Sequence, residues 1–179
     1  MGQVAKYVIF GTRWGYFGLA GDDRGLWRSC LPGGREALKS RLLKGLGDVR
    51  CEKGFMKEVQ GLVSAYYEGI CVNFGREIAV VLDGVGEFGR GVLEVCRDVR
   101  YGETISYGEL AERVGRVGAG RAAGGALGRN PLPLIIPCHR VICAKGKLGG
   151  FSAAGGVKVK RKMLDFERKM AMEKPGRRG

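Results

Sequence analysis

Residues 101–129 impose the tightest constraint on the fold. The run YGETISYGELAERVG, 101–115, places Ser106 three positions ahead of Glu109. In that S-x-x-E arrangement each side chain bonds the other residue's backbone N–H, which starts a helix. Leu110 and Val114 then supply a buried stripe, and Gly115 is a natural stop. After the short connection RVG comes AGRAAGGALGR, 119–129, rich in Ala and Gly. Two short helices joined by a tight Gly-containing turn form a helix-turn-helix candidate. The same residues also describe two core helices in close contact; Ala122, Ala123, Gly124, Gly125 and Ala126 suit both arrangements.

The first half has a different character. Residues 3–10 (QVAKYVIF) and 15–20 (GYFGLA) are β-branched and aromatic runs separated by a turn, and they read as a hairpin. GLWRSCL, 25–31, adds a third strand. Leu38, Leu42, Leu43 and Leu46 predict a helix over 35–46, a second is expected around 55–68, and REIAVVL, 76–82, reads as a strand. DGVGEFG, 83–89, reads as a linker, and Phe88, Val92 and Val95 stripe a further helix over 88–98. The expected class is α+β. A small N-terminal α/β domain with antiparallel strands spans 1–84, and a mostly helical C-terminal domain with the helix-turn-helix spans 85–168. A basic tail spans 169–179, ending in KPGRRG, which is expected to be disordered.

Charge narrows the partner. The chain has 31 Lys and Arg against 18 Asp and Glu, a net charge of +13. Residues 1–84 hold 12 basic and 9 acidic side chains; residues 85–179 hold 19 and 9. A polyanion, nucleic acid first, is the expected partner of the second half. No apolar run approaches the roughly 20 residues of a membrane span, and the N-terminus has no secretory pattern. A soluble, cytoplasmic protein with no membrane partner is expected, nucleoid-associated through DNA, or nuclear in a eukaryote. Six cysteines without a CxxC pair read as reduced thiols. With His139 as the single histidine, neither a zinc site nor another cofactor is expected.

Residues 130–141 read NPLPLIIPCHRV. The apolar run Leu134, Ile135 and Ile136 stops at Pro137, and Cys138 and His139 follow. A neighbouring imidazole can activate a thiol, yet buried cysteines are more often structural, and a bare Cys-His pair leaves both readings open.

As a whole string, PCHRV preceded by N-P-x-P-x-I-I and GRAAGGALGRN resembles the O6-alkylguanine-DNA alkyltransferases, also called methylated-DNA–protein-cysteine methyltransferases. The resemblance runs from about Phe88 to Glu167, through YGETISYGELAERVG and KGKLGGFSAAGGVKVKRKMLDFE. It implies that Cys138 irreversibly accepts the alkyl group of O6-alkylguanine, and of O4-alkylthymine, in duplex DNA. His139 would relay the thiol proton through water, Glu167 would hold that histidine, and Asn130 would brace the turn. Arg121 would fill the base stack and Tyr107 would push the adjacent phosphate, so that the lesion rotates out. Gly108 and Ala122 would let backbone lie close to the sugar–phosphate edge. Val141, Phe151, Ser152 and Tyr107 would form the guanine pocket, with the carbonyls of Cys138 and Val141 reading the base's amino group. Ser152 would donate toward O6, and Tyr107 to the ring nitrogen. A monomer acting without a cofactor is implied.

Three positions depart from the family pattern. Phe151 stands where many relatives have tyrosine, Arg100 replaces a proline, and RVGAG replaces N-P-K-A-A between the two helices. The alternative is a non-catalytic alkyltransferase-like lesion binder. Such proteins replace the acceptor cysteine, and Cys138 is present. An ordinary helix-turn-helix regulator lacks a visible dimer seam, and a cysteine hydrolase lacks an oxyanion arrangement.

Overall fold

The computed structural model describes residues 4–173, so the tail KPGRRG lies outside the described residues. Ala5–Thr12 (β1) and Gly15–Asp22 (β2) form the expected antiparallel hairpin. Thr12 closes its turn: Oγ1 donates to Gly15 O at 2.7 Å and accepts from Trp14 N at 3.2 Å. Gly25–Gly33 (β3) extends the sheet beyond β2. Val49–Cys51 (β4), too short to show a pattern, pairs parallel with β1, giving the order β3-β2-β1-β4. Arg35–Leu43 (α1) buries Leu38 and Leu42, and Lys57–Tyr67 (α2) buries Val59, Val63, Tyr66 and Tyr67.

The strand expected over 76–82 does not form. Its backbone touches β3 through Leu26 alone, with Leu26 N donating to Ala79 O and Val81 N to Leu26 O. The cause is tertiary. The buried Arg97 guanidinium donates to the carbonyl of Gly75 at 2.7 Å, just ahead of the segment, and to that of Ile78 within it at 2.8 Å, which removes an acceptor that a longer ladder would use.

The expected linker is also shorter, because Glu87–Arg97 (α3) takes its last residues. Ile105–Ser106 (β5) leads into Tyr107–Arg113 (α4), and Gly120–Leu127 (α5) completes the helix-turn-helix. Val141–Ile142 (β6) pairs parallel with β5. The last helix, Gly156–Met172 (α6), carries past 168, so residues 169–172 complete a helix and do not begin a tail. The expected α+β class is what the chain adopts.

One apolar core runs from Val8 to Met163 through both halves. Trp14 packs at a tilt against Tyr67 and edge-on against Phe166 of α6, with ring centroids 5.3 and 5.1 Å away. Ser29 of β3 donates from its backbone to Pro131 O at 3.0 Å and from Oγ to Pro133 O at 2.8 Å. The N-terminal sheet thereby fixes the segment leading to Cys138. All six cysteines are free thiols. Among the described residues no helix is long and apolar enough to cross a membrane.

Candidate active site

Asn130, just beyond α5, organises the turn ahead of Cys138. Its Oδ1 accepts from Leu132 N at 3.0 Å, while Nδ2 donates to Ile136 O at 2.9 Å and to Cys138 Sγ at 3.0 Å. Leu134 at the tip has φ 77°, in the left-handed region. That conformation costs a non-glycine residue on the order of 1–2 kcal/mol. Complete burial of Leu134, Ile135 and Ile136 offsets it, at roughly 1.5–3 kcal/mol for each such side chain.

Cys138 opens a single 3-10 turn, Cys138–Arg140, and is 6% exposed. Burial pushes its thiol above the usual range; the Asn130 hydrogen bond and the Lys160 charge pull the other way without cancelling it. The resting group is a neutral thiol.

His139 is fully buried, with Nε2 2.7 Å from Glu167 Oε1. Burial lowers its pKa despite the carboxylate, so the imidazole is neutral. For Glu167 burial acts upward, but the contacts with His139 and Arg140 outweigh it and hold the carboxyl at about 2. A neutral ring facing a carboxylate donates from Nε2, which leaves the Nδ1 lone pair as an acceptor. Nδ1 is buried and has no hydrogen-bond partner among the described residues.

Glu167 is held by four further groups. Arg140 donates from Nε to Oε2 and from Nη2 to Oε1, each at 3.0 Å, and from Nη1 to Val99 O at 2.7 Å. Tyr66 Oη reaches Oε1 at 2.9 Å, and Gly102 N reaches Oε2 at 3.0 Å. Lys160, also fully buried, donates to Val141 O at 2.6 Å and to Tyr107 Oη and Gly150 O at 3.3 Å. Burial pushes its ammonium below the usual lysine range.

A cavity of about 710 Å³ opens beside the thiol, lined by Tyr107, Arg121, Gly124, Cys138, Phe151 and Ser152 among others. The structure therefore gathers Cys138, His139, Glu167 and Asn130 into one cluster, with Tyr107, Arg121, Phe151 and Ser152 around the opening. Val141 stays behind the wall, its carbonyl bound to Lys160. Gly108 lies at the α4–α5 crossing, where a Cβ on Gly120 would sit 3.4 Å from its nitrogen. Ala122 is exposed on α5 beside Arg121.

Sequence reasoning missed Tyr66, Arg140 and Lys160. Lys160 carried a signal: Lys160, Met163, Leu164 and Glu167 fall on one helical stripe, and all four are buried. A lysine on the apolar stripe marks a buried charge with a task.

The comparisons agree with this geometry. The model of the 6-O-methylguanine DNA methyltransferase, DNA binding domain, matches residues 87–169. A methylated-DNA–protein-cysteine methyltransferase of Methanosarcina acetivorans is 36% identical over 162 residues, which is 90% of this chain and 97% of that protein. The chain belongs to the methylated-DNA–protein-cysteine methyltransferase family. The solved O6-methylguanine methyltransferase of Mycobacterium tuberculosis has a TM-score of 0.75 at 31% identity, covering 97% of each chain. An OGT from the same organism, solved in complex with DNA, has a TM-score of 0.74 at 32% identity, covering 92% of this chain and 94% of that one. Within this methyltransferase family member, the matched segment ends at residue 169, so Glu167 and its whole set of C-terminal partners fall inside it.

Proposed function

We propose that the protein reverses DNA alkylation by moving the alkyl group from guanine O6 to Cys138 Sγ, once per molecule. Family membership already makes it a methyltransferase of direct-reversal repair with DNA as partner. One observation carries the finer reading. A buried thiol opens on a cavity beside a neutral histidine whose Nε2 is committed to Glu167 and whose Nδ1 is open.

The thiol proton passes to His139 Nδ1, directly or through one water. The thiolate attacks the alkyl carbon; the S–C bond forms as the C–O6 bond breaks. Ser152 and Tyr107, at the cavity, donate toward O6 and the ring nitrogen as charge develops there. Guanine recovers a proton, and the thioether has no route back to the thiol. A stacked base cannot reach a sulfur this buried, so the nucleotide must rotate out of the duplex. Arg121 lies exposed at the cavity rim, suited to filling the gap. O4-alkylthymine, a smaller base, enters by the same route, and the protein acts as a monomer.

The test is mass spectrometry after incubation with duplex containing O6-methylguanine. One methyl on the Cys138 peptide, absent in Cys138→Ala, is expected. Unchanged mass with retained lesion binding would instead identify a non-catalytic binder.

A further inference from the structure

One turn of the backbone leads to three different elements. Residues 100–103 close on themselves, with Glu103 N donating to Arg100 O at 3.1 Å and Gly102 at φ +77°. Just ahead of the turn, Val99 O accepts from Arg140 Nη1 at 2.7 Å. Tyr101 N donates to Asn73 Oδ1 at 2.7 Å, and the next amide, Gly102 N, donates to Glu167 Oε2 at 3.0 Å. The Arg140 guanidinium lies over the Tyr101 ring, 5.6 Å from its centroid. The turn thus touches both members of the Arg140–Glu167 pair, and the other oxygen of Glu167 holds His139.

Nothing in the turn's own sequence makes it rigid. Gly102 supplies the left-handed φ but brings the freest kind of backbone. A proline at position 100 would fix φ there; the chain has Arg100 instead, and it is exposed. Stiffness has to come from outside, and for the amide ahead of Gly102 it comes from Asn73. That residue follows α2 and sits between the buried Val72 and Phe74. The rings of Phe74 and Tyr66 pack with centroids 6.4 Å apart, so the backbone of Asn73 is anchored beside the Tyr66–Glu167 contact. Its own side chain is exposed and makes one hydrogen bond among the described residues, the one to Tyr101 N.

We infer that Asn73 is a positioning residue for alkyl transfer. By pinning the Tyr101 amide it fixes the direction of the amide that follows. Gly102 N then stays aimed at Glu167 Oε2, and the carboxylate keeps the orientation in which Oε1 holds His139 Nε2. The role rests on the His139–Glu167 relay proposed above.

The experiment measures single-turnover transfer rates on duplex containing O6-methylguanine and on free O6-benzylguanine. The variants are Asn73→Ala, Asn73→Asp, Arg100→Pro and the Asn73→Ala/Arg100→Pro pair. Asp keeps the acceptor oxygen that Ala removes. Pro at 100 stiffens the turn from within, and Arg100 N donates to no backbone carbonyl among the described residues, so no such bond is lost. Asn73→Ala should slow transfer about fivefold, the size of one lost neutral hydrogen bond, and by the same factor on both substrates. Asn73→Asp should keep the parent rate, and Arg100→Pro should restore it in the double variant. Asn73→Ala at the parent rate, or slowed on duplex alone, overturns the role, as does an equal slowing in Asn73→Asp. A double variant as slow as Asn73→Ala, with Arg100→Pro alone at the parent rate, overturns it too. Where Arg100→Pro by itself loses activity, the Asp variant decides. Absence of methyl transfer by the unsubstituted protein overturns the transfer reaction itself.

Discussion

The hydroxyl of Tyr66 on α2 donates to Glu167 Oε1 on α6 at 2.9 Å, and both residues are fully buried. Burial and the nearby carboxylate raise the tyrosine's pKa, so it stays protonated and serves only as donor. It shares Oε1 with His139. The N-terminal half thus does more than shield the thiol, because it supplies one of the donors that keep Glu167 anionic and the His139 proton on Nε2.

Tyr66→Phe removes that donor with little change in volume. A buried hydrogen bond to a charged group is worth about 1.5–3 kcal/mol, so the thermal midpoint should drop by several degrees. Transfer should slow by one common factor on alkylated duplex and on free O6-benzylguanine, since the relay serves both. Parent-like midpoint and rates in the variant would show that the contact is dispensable.

Burial displaces the two reacting groups in opposite directions, Cys138 above its ordinary 9.0 and His139 below its ordinary 6.5. Between those values the resting pair remains thiol plus neutral imidazole. The rate with free O6-benzylguanine is therefore expected to be flat from pH 6.5 to 9.0 and to fall in acid, where His139 becomes protonated. A sigmoid rise centred inside that window would mean that the thiol titrates on its own.

Stability has its own acid limb. Glu167 has a carboxyl at about 2 in the fold against an ordinary 4.5. A depressed folded-state value contributes stability that is present above 4.5 and is lost as pH falls toward 2, because the unfolded chain takes up the proton first. The depressed value of His139 acts in the same direction below 6.5. The Glu167 share is on the order of 3 kcal/mol. Acid unfolding of Glu167→Gln should show a much weaker dependence on pH between 4.5 and 2 than the parent.

What the residues disclosed depended on range. The start of α4 was legible because its signal is local: Ser106 Oγ accepts from Glu109 N at 3.1 Å, and Glu109 Oε2 from Ser106 N at 2.8 Å. The hairpin followed from its β-branched runs in the same way. Cys138, His139 and Glu167 came through family resemblance, since no local rule joins residues 28 positions apart. The partners Tyr66 and Arg140 could not be seen, because a carboxylate 101 and 27 positions away gives them their role. The 76–82 segment failed for a related reason, its Ile78 carbonyl being claimed by Arg97, 19 positions away.

Arg121 tests extrusion. It lies exposed in the first turn of α5 and lines the cavity that also holds Cys138. Unstacking a nucleotide costs a few kcal/mol. Arg121→Ala should therefore slow repair of duplex by about tenfold or more, while reaction with free O6-benzylguanine keeps its rate. Equal losses on the two substrates would remove Arg121 from the extrusion step.

Gly149 bears on the pocket itself. Its φ is +68°, and a Cβ there would lie 2.9 Å from Tyr107 Cε2, 3.0 Å from Tyr107 Oη and 3.1 Å from Cys143 Sγ. Tyr107 cannot yield freely, since its hydroxyl sits between Lys160 Nζ at 3.3 Å and Gly150 O at 3.4 Å. Gly146 provides the control: its φ is +75°, but a Cβ would meet nothing within 4 Å. Gly146→Ala carries only the backbone strain, on the order of 1 kcal/mol, and should react normally. Gly149→Ala adds the collision, so it should unfold at lower temperature than the Gly146 variant and lose activity on both duplex and free base. Matching behaviour of the two variants would show that the Tyr107 ring accommodates a methyl group, and that its position does not set the shape of the base pocket.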